Sequence, residues 1–217
     1  MDYCNFLKDK RVALVGPSPS IIGSGNGNLI NNCDIIVRMN KAIPVPVKLA
    51  ADIGSRTDVL YNCMEPNPNS GGRIDIKLWN QHRVKWVCSS YPVLPFSVHN
   101  IKQFIHLNNM APKKINFRCV AMNIYTPVAM STKTRPNTGL LAICDILNCP
   151  VKSLYITGMT FGKDGYYREY NNMSLDKYHK MANGVNHKQF PQFEYFCNLV
   201  KHDTRVIPDK VLQGMIK

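Results

Sequence analysis

Short apolar runs recur along the chain between polar, turn-rich stretches: Val12-Ala13-Leu14-Val15, Ile35-Ile36-Val37, Val59-Leu60-Tyr61, Val84-Lys85-Trp86-Val87, Leu154-Tyr155-Ile156-Thr157 and Arg205-Val206-Ile207. Continuous runs of this kind mark strands buried on both faces, as in a largely parallel sheet. Leu140, Ile143, Cys144 and Leu147 follow the spacing of a helix with one apolar stripe. A second helix is expected from near Pro191, a residue tolerated in a first turn, with Phe193, Phe196, Cys197 and Val200 turned to the core. Alternation of strands and helices predicts an α/β fold of Rossmann-like type, with a mostly parallel central sheet flanked by helices. Asn62 to Gly72, rich in Asn, Pro and Gly, and Asn123 to Pro136, which has no clear period, read as loops. Neither is long enough to join two domains. At 217 residues and 45% hydrophobic the chain closes one core, so residues 1–217 read as a single domain.

Charge narrows the partners only partly. Twenty-seven Lys and Arg against 14 Asp and Glu give a formal charge of +13, which suits nucleic acid, an acidic membrane surface or anionic substrates such as nucleotide sugars. The basic residues are scattered and no zinc-finger signature appears, so nucleic acid is not the expected partner. No window approaches the roughly 20 consecutive apolar residues of a membrane span, and the first residues lack the apolar core of a signal peptide. A soluble, cytoplasmic protein is the expectation, or one of the host cytosol if the source is viral. The eight cysteines form no C-x-x-C pair and no metal-ligand spacing; their even count leaves disulfides open without assigning them. Cys88, ending an apolar run, reads as a small buried hydrophobe. A reducing compartment is favoured.

The first stretch with chemical content is Val12-Ala13-Leu14-Val15-Gly16-Pro17-Ser18-Pro19-Ser20, followed by Gly23-Ser24-Gly25-Asn26-Gly27. A strand ending in Gly and small hydroxyl residues lets the backbone approach a nucleotide, with the following amides free to point at phosphate. The same stretch also reads as an ordinary strand-to-helix turn with a Gly-rich loop. It is neither a Walker loop nor a dinucleotide fingerprint. The second stretch is Arg135-Pro136-Asn137-Thr138-Gly139-Leu140-Leu141-Ala142-Ile143-Cys144, running on to Ile156-Thr157-Gly158-Met159. Asn137 or Thr138 is placed to cap the following helix, which leaves the helix's positive end to an anion; a cap with no ligand fits equally well.

Read on through Asp34-Ile35-Ile36-Val37-Arg38-Met39-Asn40, the first block resembles the large sialyl motif of the sialyltransferases, glycosyltransferase family 29. The second is similar to their small motif, Pro-Ser-Thr-Gly followed by a helix, a strand and Gly-Phe, with Asn137 in place of the usual Ser. The resemblance runs in family order from about Val12 to Ile207. It implies a GT-A-like sialyltransferase variant of the α/β fold, a compact catalytic core without stem or membrane anchor. It also implies a donor site in which Gly16, Ser18 and Asn40 meet the cytidine nucleotide, and Asn137, Thr138, Gly139 and Gly158 meet its phosphate, sugar or carboxylate.

The remaining implications concern catalysis. Gly162-Lys163-Asp164-Gly165-Tyr166-Tyr167-Arg168-Glu169-Tyr170 sits where the family has a short His-Tyr-rich motif, making Tyr166 and Tyr167 candidates to hydrogen-bond the leaving phosphate. His187, in His187-Lys188-Gln189-Phe190-Pro191-Gln192-Phe193-Glu194, matches the start of the final His-x-x-x-x-Glu motif and is the candidate base. Gln192 occupies the Glu position, and Glu194 lies two residues on. Asp52-Ile53-Gly54-Ser55-Arg56-Thr57-Asp58 looks like a stretch that follows the large motif in relatives; Arg56 there either binds an anion or braces Asp52 or Asp58 across a turn. The family's bridge between the two motifs is not expected, since Cys149 fits the second partner but Val12 holds the first position. The implied function is inverting, metal-independent transfer of sialic acid from CMP-sialic acid to a glycan hydroxyl, with a CMP-sugar donor and a glycan acceptor as partners and no cofactor. The chain lacks the Asp-x-Asp stretch with which many other transferases hold a metal. A CMP-Kdo transferase of the same build and a catalytically silent nucleotide-binding module are the alternatives.

Overall fold

The computed structural model describes residues 2–182, 184 and 188–216. In chain order its elements are α1 (Tyr3–Leu7), β1 (Arg11–Val15), α2 (Gly27–Asn31), β2 (Ile35–Met39), α3 (Ala50–Ile53), β3 (Val59–Asn62), α4 (Ile76–Gln81), β4 (Trp86–Ser89), α5 (Val98–Met110), β5 (Asn116–Cys119), α6 (Met122–Thr132), α7 (Thr138–Leu147), β6 (Ser153–Thr157), α8 (Leu175–Ala182), α9 (Gln189–His202), β7 (Val206–Pro208) and α10 (Lys210–Ile216).

All the strands join one seven-stranded sheet in the order β5-β4-β3-β2-β1-β6-β7. Every pairing is parallel; Val12, for example, stands opposite both Ile35 and Leu154. Because successive side chains of a strand point to opposite faces, the apolar runs of the interior strands feed two cores at once. Val12, Leu14, Val37, Tyr61, Cys88 and Ile156 pack on one face with Leu140 and Ile143 of α7, Phe196 of α9 and Leu212 of α10. Their neighbours in sequence go the other way. Ala13, Val15 and Ile36 meet Ile30 and Ile53, while Leu60 and Val87 meet Trp79 of α4 and Phe104 of α5. The result is the expected Rossmann-like sandwich, a parallel sheet between two helical layers.

Three features differ from the sequence-based reading. β5 was not expected: its Asn-Phe-Arg-Cys sequence lies at the sheet edge with no residue fully buried, so it lacks an apolar run. Asn123 to Pro136 is not a loop for most of its length but contains α6, in which Ile124, Val128 and Thr132 form one buried stripe. Pro127 and the small or polar residues around it hide that stripe in the sequence.

The third difference is covalent. Cys4 and Cys149 form a disulfide across 145 residues, with Cα atoms 4.9 Å apart. The bridging partner of Cys149 comes from α1, ahead of the first strand, and not from position 12. Beside it, the Tyr3 and Tyr61 hydroxyls meet at 3.0 Å, and Tyr61 donates to Asp145 Oδ2 of α7 at 2.6 Å. Arg118 of β5 pairs with the same carboxylate oxygen.

Candidate functional site

A parallel sheet leaves a crevice beyond the carboxyl ends of its strands where the chain reverses direction of progress across the sheet. Here the strands run outward from β1 to β5, and β6 then returns to the other side of β1. At that switch point lies a cavity of about 590 Å³, lined by the segments that leave β1, β2, β3 and β6 and by the start of α7.

The two lips over the switch point are locked together. The Gly16 amide donates to Thr157 O and the Ser18 amide to Gly158 O, each at 2.8 Å. Thr160 Oγ1 reaches Ser18 Oγ at 3.2 Å. Asp209, which is buried, accepts from Thr157 Oγ1 at 2.8 Å and from the Gly158 amide at 3.1 Å, so a residue beyond β7 fixes the turn after β6. Ser18 and Gly158 line the cavity. Gly16 does not; it is the close-packing point beneath them, where a Cβ would sit 2.3 Å from Gly158 O.

Asn40 follows β2 in the left-handed region (φ 53°), which asparagine tolerates better than most residues. Its Oδ1 accepts from the Cys63 amide at 2.9 Å, and it lines the cavity. Asn137 is the N-cap of α7: its Oδ1 accepts from the Leu140 amide at 2.8 Å and its Nδ2 donates to Gln189 Oε1 at 3.2 Å. The cap leaves the amides of Thr138 and Gly139, both in the cavity wall, without a partner among the described residues. They stand where the helix end favours an anion.

Of the two candidate tyrosines, only Tyr166 lines the cavity. It packs on Tyr170 and Tyr178, with ring centroids 5.1 and 4.7 Å away, and burial pushes its pKa up to about 12, so its hydroxyl is a donor at neutral pH. Tyr167 is turned away into the hydrophobic cluster with Val15, Ile21 and Ile53, its amide donating to Pro17 O at 3.0 Å. His187 lies outside the described residues. Gln192 is fully buried: its Oε1 accepts from the Asn137 amide at 2.7 Å and its Nε2 donates to Lys188 O at 3.1 Å. Glu194 is exposed on α9 and is not in the cavity wall.

Two sequence-based expectations meet other geometry. The Gly23 and Gly25 amides, thought available to phosphate, are held by the Asp52 carboxylate at 2.8 and 2.9 Å. Arg56 is a brace: Nε donates to Asp58 Oδ2 at 3.1 Å and Nη1 to Asn31 O at 2.9 Å. Arg38, beside Asn40, is buried and donates to Ile53 O at 2.6 Å and Arg56 O at 3.2 Å; burial lowers its pKa to about 10.

Further residues line the cavity, some of which carried no sequence signal. Glu65, Arg135 and Lys180 are its charged lining groups, with Tyr91, Tyr170 and Tyr178 among the aromatic ones. Glu65 and Lys180 lie outside any recognisable block, and only the fold brings them to the cavity. No group of three His, Cys, Asp or Glu side chains stands together as a metal site among the described residues. No helix among them is long and apolar enough to cross a membrane.

The family model of glycosyltransferase family 29 (sialyltransferase) matches residues 7–117. No curated protein matches the chain. Among solved structures, a mammalian sialyltransferase in complex with Gal-beta-1-3GalNAc-ortho-nitrophenol shares 16% identity at a TM-score of 0.61, over 96% of this chain and 72% of that one. The sialyltransferase CstII from Campylobacter jejuni, in complex with cytidine-5'-monophosphate, shares 13% at 0.60, over 93% and 80%. The CST-II complex with a trisaccharide acceptor and CMP shares 13% at 0.57, over 92% and 80%. At these identities the likeness is one of fold.

Proposed function

Because the chain belongs to glycosyltransferase family 29, the sialyltransferases, we propose that the cavity binds CMP-sialic acid and passes its sugar to a glycan hydroxyl, with inversion and without a metal. One observation carries the reading. Ser18, Asn40, Asn137 to Gly139 and Gly158, far apart in sequence and matched to the family in order, line a single cavity at the switch point. Crystals of the Campylobacter protein of this fold hold CMP and the analogue CMP-3FNeuAc.

In the proposed reaction the acceptor oxygen attacks the anomeric carbon from the face opposite the phosphate. The bond from that carbon to the phosphate oxygen breaks, its electron pair leaves with CMP, and the hydroxyl proton passes to a base. His187 is the proposed base, since an unperturbed imidazole is half neutral near pH 6.5. Charge growing on the departing phosphate is met by the Thr138 and Gly139 amides, the α7 dipole and the Tyr166 hydroxyl. Those donors make a divalent ion unnecessary for a monophosphate leaving group.

Calorimetric titration with CMP, CDP, UDP and GDP, with and without magnesium, tests the donor class. Tight, magnesium-independent binding of CMP alone supports it; preference for a metal-bound diphosphate overturns it. His187→Ala should abolish transfer from CMP-sialic acid while keeping CMP affinity, and unchanged turnover removes the base assignment.

A cytoplasmic location fits a chain with no apolar spanning helix among its described residues. The Cys4–Cys149 bridge weighs against it, because such bonds persist in oxidising compartments. Thiol counting on protein taken from its native compartment separates the two: eight free thiols place it in a reducing setting, six in an oxidising one.

A further inference from the structure

The side of the cavity over β3 and β4 differs chemically from the side that carries the donor residues. It is lined by Glu65, Asn67, Asn69 and Ser70 from the segment after β3, by Tyr91 after β4, and by Arg135 ahead of α7. Glu65 is the one carboxylate in the cavity wall among the described residues, and about a third of its side chain is exposed. Its Oε1 accepts from Arg135 Nη1 at 3.0 Å, and its Oε2 has no partner among the described residues. Arg135 is itself held in place, its guanidinium 5.3 Å from the Tyr91 ring centroid and 5.5 Å from that of Phe96, an exposed ring standing edge-on to Tyr91.

Stability does not account for this carboxylate. A partly exposed ion pair contributes little to folding. Nor does the donor: a CMP-linked acidic sugar brings negative charge into the cavity, and a carboxylate in the same wall works against it. Both objections vanish if Glu65 serves the other substrate. Sugar hydroxyls donate hydrogen bonds, and those to a carboxylate are stronger than neutral ones. The neighbouring Asn and Ser side chains supply mixed donors and acceptors, and Phe96 offers an exposed apolar face at the rim. An anionic acceptor, by contrast, would be repelled.

We infer that Glu65, oriented by Arg135, is the acceptor-selecting group of this enzyme, taking the hydroxyls of a neutral sugar and excluding glycans that already end in an acidic group. The inference rests on the donor reading above.

The test is an array of neutral oligosaccharides and their sialylated and sulfated counterparts, read by label transfer from CMP-sialic acid, with wild type and Glu65→Gln. Wild type should label neutral glycans, and Glu65→Gln should raise KM for the best of them at least about tenfold. The variant should also narrow the gap between neutral and acidic acceptors and leave CMP affinity, measured by calorimetry, unchanged. Glu65→Asp, which keeps the charge but draws it back, should fall between the two. Wild-type preference for acidic acceptors overturns the inference. So does a Glu65→Gln profile identical to wild type, or a loss of CMP affinity matching the loss of transfer, which would place Glu65 with the donor. Failure of wild type to bind CMP removes the donor reading itself, and the acceptor inference falls with it.

Discussion

Replacing Gly16 with alanine adds one methyl group at the tightest contact between the ends of β1 and β6. An ideal Cβ there lies 2.3 Å from Gly158 O, 2.8 Å from Gly158 C and 2.5 Å from Met159 Cγ. Met159 has rotamers with which to retreat; the Gly158 peptide does not. Its carbonyl accepts from the Ser18 amide at 2.8 Å, and its amide is held by Asp209 at 3.1 Å. Restoring an ordinary contact requires the two backbones to part by roughly 1 Å in an interior that transmits such strain. Overpacking costs about 1–3 kcal/mol, and a clash with fixed backbone belongs at the upper end. For a chain of this length, about 3 kcal/mol lowers Tm by about 6–12 °C.

Gly25→Ala is the matched control. Nothing lies within 4 Å of its added Cβ, and only the positive φ of +66° opposes it, at about 1–2 kcal/mol. Thermal unfolding by circular dichroism and calorimetry with CMP read both variants. Gly16→Ala should lose more stability and, because Pro17, Ser18 and Gly158 line the cavity, more than about tenfold in CMP affinity. Equal losses in the two variants would refute the steric reasoning. A large stability loss with intact CMP affinity would refute the claim that this contact supports the donor wall.

Asp58 makes stability pH-dependent. Burial alone would raise its pKa, but the Ile36 amide, Lys85 and Arg56 outweigh burial and hold it below the ordinary carboxyl value. Its contribution is therefore present above the unfolded pKa near 4 and is lost as pH falls through the lower folded value, so Asp58→Asn should flatten the acid limb of the stability curve below about pH 4. Asp209→Ala removes the clamp on Thr157 and Gly158 and the cap on Leu212, and leaves buried donors unsatisfied; a loss of about 2–4 kcal/mol in denaturant titration, with weaker CMP binding, is expected. Cys149→Ser opens a loop of 145 residues, which on chain-entropy grounds costs up to about 5 kcal/mol; reducing agent should then destabilise wild type and leave the variant unmoved.

Each of the six apolar runs lies in or overlaps a strand; the interior ones were legible because a parallel strand buried on both faces needs no alternation to declare itself, while edge strand β7 leaves Ile207 exposed. β5 was not legible, since an edge strand of Asn, Phe, Arg and Cys carries neither run nor alternation. α6 was hidden by Pro127 and by a stripe completed only by Thr132, which satisfies its hydroxyl on Val128 O at 2.8 Å. In the site, Ser18, Asn40, Asn137 and Gly158 were readable through their places in the resembled motifs, and the last three each directly follow a strand or precede a helix. Tyr166 and Tyr167 show the limit of that method. Neighbouring residues in a loop point opposite ways, one into the cavity and one into the core, and no local pattern says which. Glu65 depends on long-range packing and had no signature at all.

Each departure from the family pattern has well-defined contacts in this structure. Asn137 stands where the family has Ser, and it still caps α7 through Oδ1, while its amide nitrogen adds a contact to Gln189 that a hydroxyl of that size would not reach. Gln192 stands where the family has Glu, and both halves of its amide are used, one accepting from Asn137 and the other donating to Lys188 O. A carboxylate could accept the first bond but not make the second, and it would be buried against a carbonyl oxygen. The first half of the bridge likewise sits on α1, where Cys4 can reach Cys149, and not at position 12. Gln192 and Asn137 thus tie the last motif to the start of α7, in part through backbone groups that are present whatever side chains surround them. Together the Asn137 cap and the Gln192 amide brace the start of α7, whose Asn137, Thr138 and Gly139 form part of the cavity wall.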